Sequence, residues 1–211
     1  LIIRDGAKMS KSKGNVVNPD HYIDGWGADT FRTYLMFLGP FEEGGDFRDA
    51  GISGVKSFLG RLWISVQGAR TTGEPDREVM RKLHQTIRKV GEDIPKLSYN
   101  TAIAAMMEYM NVVRRGERVA HRAEVEPVVK LVAPFAPHIA EELWEMLGND
   151  ASVFDSAWPA YDATLASEQT VTIAVQVGGK TRGTVAVSPD AGEAVVLAAA
   201  MADSAIAKFI T

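Results

Sequence analysis

The run Lys8-Met9-Ser10-Lys11-Ser12-Lys13-Gly14-Asn15 is where this sequence could do chemistry. Three lysines among small neighbours can surround a polyphosphate, with hydroxyls and backbone N–H groups as further donors. Residues 1–14 carry a net charge of +3, four Lys and Arg against Asp5. A solvated surface loop has the same composition, so the order of the residues must decide. A Walker A loop needs glycines ahead of its Lys-Ser pair, and Gly6 is wrongly placed. Ser10 and Lys13 have the spacing of the penicillin-binding nucleophile motif, but Ser-Asp-Asn is absent and Arg182, not Gly, follows Lys180-Thr181. Both alternatives fail.

Two further basic stretches are candidates for phosphate contact. Residues 77–96 hold Arg77, Arg81, Lys82, Arg88, Lys89 and Lys96, a balance of +3 after their acids. Residues 114–122 hold Arg114, Arg115, Arg118 and Arg122 against Glu117, again +3. Taken alone, each reads as a solvated helix face. His138 with Glu141 and Glu142 has the i, i+3, i+4 spacing of metal ligands, but no second His lies in that segment. A packed or capping histidine is the expectation. Met106, Met107 and Met110, with Trp63, Trp144 and Trp158, are expected to fill core.

The elements that must carry these residues follow from apolar period. Residues 1–28 read as a short strand and a loop, with Asp29 as N-cap of a helix bearing Phe31, Tyr34, Leu35 and Leu38 and stopped at Gly39-Pro40. Five helical stripes follow. The first is Ile52, Val55, Phe58, Leu59, Leu62, Trp63 and Val66, and the second Val79, Leu83, Ile87, Val90 and Ile94. The third is Ile103, Met106, Met107, Met110 and Val113. Val125, Val128, Val129 and Val132 make the fourth, and Ile139, Leu143, Trp144 and Leu147 the fifth. Stripes joined by short connections bury one another most economically as a bundle.

After an irregular stretch the period changes to two, at Val171, Ile173, Val175 and Val177. A two-residue Gly178-Gly179 turn would set that face against Lys180, Arg182, Thr184 and Ala186. A three-residue Gly-Gly-Lys connection sets Val175 against Gly183, Ile173 against Val185 and Val171 against Val187. The second register keeps one face apolar and is preferred, with Arg182 beside Gln176 and Lys180 at the tip. Asp190 and Glu193 have capping-box spacing for a last helix. The apolar Leu1-Ile2-Ile3 and the late Ile206, Phe209 and Ile210 suggest a piece of something longer.

Cysteine is absent among the 211 residues, which excludes disulfides and thiolate zinc sites. A net charge of −4 leaves any RNA contact to local patches, and no apolar run reaches a membrane span.

Lys8 to Ser12 reads KMSKS in full and, with Lys13-Gly14-Asn15 after it, resembles the second signature of class I aminoacyl-tRNA synthetases. Gly27-Ala28-Asp29-Thr30 with Arg32 follows at the distance of that family. Pro134 through Trp144 is similar to the late helix pair of the anticodon-binding bundle in the Leu/Ile/Val subgroup. Asn100–Glu108 and Val175–Gly183 resemble the leucyl branch, with Gly178 where Asn is frequent. The resemblance runs along nearly the whole chain.

The resemblance implies a mainly α fold: a helical bundle of the class I anticodon-binding type, preceded by the KMSKS-loop end of a catalytic domain and followed by a small α/β C-terminal domain. The implied boundaries are 1–38, 39–165 and 166–211, the last cut short. It implies a leucine–tRNA ligase, which activates leucine with ATP to leucyl-adenylate and loads tRNA(Leu). Lys11, supported by Lys8, would meet charge on the departing pyrophosphate. Lys8, Met9, Ser10, Lys11, Ser12 and Asn15 would form the ATP-engaging set. Arg77, Arg81, Lys82, Arg88, Lys89, Arg114, Arg115, Arg118, Lys180 and Arg182 would face tRNA. Mg2+ would accompany ATP, with no metal ligated by this chain. A cytoplasmic monomer without membrane contact is implied. The HIGH signature is not in the chain, so it should be inactive alone. A valyl or isoleucyl relative and a stand-alone tRNA-binding module are the alternatives.

Overall fold

The computed structural model describes residues 2–167, 171–188 and 191–209. The chain divides into two compact units, residues 1–166 and 167–211. Helix dominates, as the apolar period predicts.

The first unit opens with β1 (Ile2–Arg4) and β2 (Ala7–Lys8), an antiparallel pair turned at Asp5-Gly6. Both turn residues have positive φ, 51° and 76°, the backbone that Asp-Gly supports in hairpins. Then come α1 (Pro19–Trp26), α2 (Ala28–Phe37) and β3 (Gly45–Phe47), which lies parallel to β1. Helix α1 corrects the reading of residues 1–28 as strand and loop. Its start is marked, since the Asn18 carboxamide accepts from the Asp20 N–H at 3.2 Å and Pro19 takes the first helical position. It buries only Tyr22, so no apolar period reveals it. Asp29 is a second correction: Gly27 precedes α2 without a side-chain cap, and Asp29 lies inside the helix.

Tyr22, Phe31, Tyr34 and Phe47 form a buried aromatic cluster joining α1, α2 and β3. Tyr22 stacks on Phe31 with centroids 5.4 Å apart and meets Phe47 edge-on at 5.0 Å. Such pairs add about 0.5–1.5 kcal/mol each beyond the area they bury.

The bundle consists of α3 (Ile52–Gln67), α4 (Arg77–Asp93), α5 (Tyr99–Val113), α6 (Arg122–Val132) and α7 (Pro137–Met146), with a short α8 (Ala163–Ala166) against α4. All five expected stripes face one core, with only Trp63, Ile94, Met107 and Ile139 partly exposed. Each fully buried aliphatic side chain contributes roughly 1.5–3 kcal/mol by leaving water. Trp144 is buried, but Trp158 is 44% exposed, a correction to its assignment to the core. Polar starts fix the helices: Asp76 accepts from the Val79 N–H at 3.0 Å, and His121 caps α6 through Nδ1.

In the second unit, β4 (Val171–Val177) and β5 (Lys180–Val187) form a hairpin backed by α9 (Glu193–Ala202) and α10 (Ser204–Ala207). The turn is the two-residue Gly178-Gly179, with Val177 opposite Lys180, so the three-residue connection is corrected. Yet Val175 does face Gly183, Ile173 faces Val185 and Val171 faces Val187. A β-bulge reconciles the two: Arg182 is the extra residue between Thr181 and Gly183, and Gln176 pairs with Thr181 instead. Turn geometry sets the tip, apolar burial sets the base, and the bulge absorbs the mismatch. Gly183 is needed there, since a Cβ would meet the Ile206 side chain at 2.7 Å. The expected capping box fails at Glu193, which is the first helical residue after the cap Gly192; Asp190 lies outside the described residues.

Candidate functional site

The lysine loop runs between β2 and α1. Its centre is a short 3-10 turn, Lys11–Lys13, closed by Gly14 at φ 66°. The Ser10 hydroxyl accepts from the Lys13 N–H at 3.3 Å and lies 3.2 Å from the Ser12 hydroxyl. Asn15 braces both ends: its Oδ1 accepts from the Ser10 N–H at 2.8 Å and its Nδ2 donates to the Lys8 carbonyl at 3.2 Å. Asn15 and Ser10 therefore hold shape, while Met9 is half-buried. Lys8, Lys11 and Lys13 are exposed, and their ammonium groups carry no internal partner among the described residues. A cationic loop held by its own Ser10 and Asn15 side chains, with no ion pair at its lysines among the described residues, can meet a polyanion without first breaking ion pairs.

The footing of the loop is equally defined. The Tyr22 hydroxyl donates to Asp49, and burial together with that carboxylate raises its pKa. Arg4 Nη2 reaches Asp49 at 3.3 Å, tying β1 to the same carboxylate. Helix α2 extends the footing into the bundle. Asp29 Oδ2 accepts from the Ile139 N–H at 2.6 Å, and Oδ1 lies 2.8 Å from His138 Nδ1 and accepts from the His138 N–H at 3.4 Å. Arg32 Nη2 donates to the Pro134 carbonyl at 3.2 Å, and Thr33 Oγ1 to the Phe135 carbonyl at 3.3 Å. Asp29 and Thr33 were not among the candidate site residues. The Gly27–Arg32 motif was a sequence signal for Asp29, though nothing local named its partner, and Thr33 had none.

The basic clusters are brought together. Antiparallel packing of α4 and α5 puts the start of one beside the end of the other, and Arg115 Nη1 reaches Glu78 at 3.1 Å. Arg77 and Arg114 are exposed there, with no ion pair among the described residues. Lys82 pairs with Glu108 at 3.3 Å and Lys89 with Asp93 at 2.7 Å, while Arg88 lies 5.7 Å from the Tyr161 ring. Arg81 and Lys82 are half-buried on α4. Arg118 departs from the expected solvent-facing cation, because both arms of its guanidinium hold Glu124. In the second unit Lys180 is exposed beside the turn, whereas the Arg182 guanidinium stacks on Phe209 at 4.1 Å instead of standing on the polar face.

The His138 ring is 79% exposed and partners Asp29, so it is neither packed in the core nor a cap, and the capping group there is the Asp29 carboxylate. Glu141 accepts from the Ser152 hydroxyl and from the Val153 N–H at 3.0 Å, which holds its carboxyl below the usual range. No group of three or more His, Asp or Glu gathers for a metal among the described residues. No helix is long and apolar enough to cross a membrane among them.

Comparison with known proteins bears on this arrangement. The model of the anticodon-binding domain of tRNA ligase matches residues 76–197, and that of the class I tRNA synthetases (I, L, M and V) matches residues 1–44. The leucine–tRNA ligase of Herpetosiphon aurantiacus is 42% identical over 224 residues, covering 100% of this chain and 27% of that protein. That of a Geobacter species is 43% identical over 230 residues, covering 100% and 28%. A crystal structure of a LeuRS-tRNA-LeuAMS ternary complex from Agrobacterium radiobacter superposes with a TM-score of 0.78 at 28% identity, over 99% of this chain and 30% of that one. The chain thus spans about a quarter of the length of these relatives.

Proposed function

We propose a role for this chain from the family it belongs to, the anticodon-binding domains of tRNA ligases: it is the part of a leucine–tRNA ligase that brings the lysine loop to ATP and seats tRNA(Leu) on the helical bundle. The intact ligase activates leucine with ATP, Mg2+ accompanying the nucleotide, and transfers the leucyl group to the tRNA. It works as a cytoplasmic monomer, and this chain alone is inactive. Residues 1–38 serve the catalytic end, 39–165 the bundle and 166–211 a small RNA-contacting domain.

The observation that carries this reading is the loop braced by Asn15, which leaves the Lys8 and Lys11 ammonium groups without a partner among the described residues. When a leucine carboxylate attacks the α-phosphate, negative charge grows on the departing pyrophosphate. A cation already oriented there lowers the barrier without reorganisation. Lys11 takes that role and Lys8 supports it. Ser12 offers a hydroxyl to the nucleotide, while Ser10 and Asn15 keep the loop's form.

On the bundle, Arg77, Arg81, Arg88 and Arg114 face the RNA backbone, Lys82 and Arg115 exchange weak surface pairs with Glu108 and Glu78 for phosphates, and Lys89 adds its charge while keeping the buried Asp93. Lys180 adds a contact from the second unit. Arg118 and Arg182 take no part in this face, because Glu124 and Phe209 hold them.

The test is to offer the full-length gene product leucine, valine and isoleucine with ATP and tRNA(Leu). Leucine-dependent pyrophosphate exchange and charging are expected. Preference for valine or isoleucine, or no exchange with any, would overturn the reading.

A further inference from the structure

Helix α7 begins without a cap of its own. Its N-cap position is Ala136, which has no side-chain acceptor, and Pro137 at the first helical position has no N–H. The first intrahelical bond is Ala140 N–H to the Ala136 carbonyl, so the orphaned donors are the N–H groups of His138 and Ile139. Both go to one carboxylate, that of Asp29, 110 residues from Ile139 and only 12% exposed. An anionic cap at a helix start is favoured by the helix dipole as well as by the hydrogen bonds.

Asp29 does not act alone. It shares one face of α2 with Arg32 and Thr33, at i, i+3 and i+4, and these two hold the carbonyls of Pro134 and Phe135. One helix face thereby engages the middle of the connector between α6 and α7 and the first turn of α7. The opposite attachments of α2 lead to the lysine loop: Phe31 stacks on Tyr22 and packs on Phe47, and β3 pairs with β1, whose hairpin partner β2 ends at Lys8.

We propose that this face is a rigid joint between the lysine-loop end and the bundle, and that Asp29 is a positioning residue for transfer of the activated amino acid to tRNA. The inference rests on the ligase reading and names what orients the seated RNA toward the catalytic end. The loop has its own braces, so the first half-reaction, which needs no RNA, is independent of the joint. The second is not, because a bundle misaligned by an ångström carries its RNA with it.

The test uses the full-length ligase and two readouts, leucine-dependent pyrophosphate exchange and single-turnover transfer from preformed adenylate to tRNA. Asp29→Ala is expected to slow transfer about 10²-fold while exchange stays near wild type. Asp29→Asn keeps an oxygen for the Ile139 N–H and is expected to recover part of the loss. Unchanged transfer in Asp29→Ala, or equal loss of both reactions in Asp29→Asn, overturns the joint. A wild-type protein inactive in both assays sinks instead the ligase reading on which the joint rests.

Discussion

Arg118 grips Glu124 with both guanidinium arms, Nη1 to Oε2 at 2.8 Å and Nη2 to Oε1 at 2.7 Å, and no part of Glu124 is exposed to solvent. The same carboxylate accepts the N–H of Asp76 at 2.8 Å and of His121 at 2.9 Å. One buried side chain thus pins the starts of α4 and α6 together. These partners hold its pKa below the usual carboxylate range even though burial pushes the other way.

Removing one member of a buried pair leaves the other charge uncompensated. Arg118→Ala and Glu124→Gln are each expected to destabilise the chain by about 3–5 kcal/mol, read by urea denaturation. Arg114→Ala, at an exposed position with no ion pair among the described residues, should stay within about 0.5 kcal/mol of the parent. Equal stabilities for the Arg118 and Arg114 variants would refute the internal role of Arg118.

Histidine 84 provides a pH prediction. It is buried, its Nδ1 accepts the Asp162 N–H at 3.2 Å, and burial lowers its pKa from 6.5. The unfolded chain therefore binds a proton more readily than the folded one, so the stability contributed is complete above about pH 6.5 and declines as pH falls below it. His84→Asn keeps an acceptor but cannot titrate. Thermal melts between pH 8 and pH 5, a range of about 3 units around the imidazole pKa, should flatten for that variant relative to the parent.

For the loop, Lys11→Ala in the full-length protein is expected to slow pyrophosphate exchange about 10²–10³-fold with little change in leucine binding. Asn15→Ala should slow exchange as well, through loss of the brace between Lys8 and Ser10. Near wild-type exchange in Lys11→Ala would remove that lysine from the reaction.

Salt dependence tests the proposed RNA face. Substituting Arg77 or Arg114 with Ala should weaken tRNA binding and lower the slope of log affinity against log salt by about one per phosphate lost. Filter-binding titrations over several salt concentrations measure this. Unaltered slopes in both variants would take the α4–α5 end out of the interface.

Much of this molecule was already legible along the chain. The five apolar stripes determined the bundle, because a helix exposes its period in its own residues and burial rewards one face. The order Lys8 to Asn15 put three ammonium groups and two hydroxyls in one short run, which can be read without any tertiary structure. The base of the hairpin was likewise written in the alternation of Val171, Ile173 and Val175 against Val185 and Val187. What remained hidden depended on residues far apart. Asp29 looked like a local cap and turned out to cap α7, and Arg118 looked like a free cation until Glu124 met it. Arg182 was displaced by a bulge that arises only when turn and core register compete. Local period and composition report what a residue can do with its neighbours in sequence. Which partner satisfies a carboxylate or a guanidinium is decided by packing, because a buried charge takes the donor that the fold delivers to it.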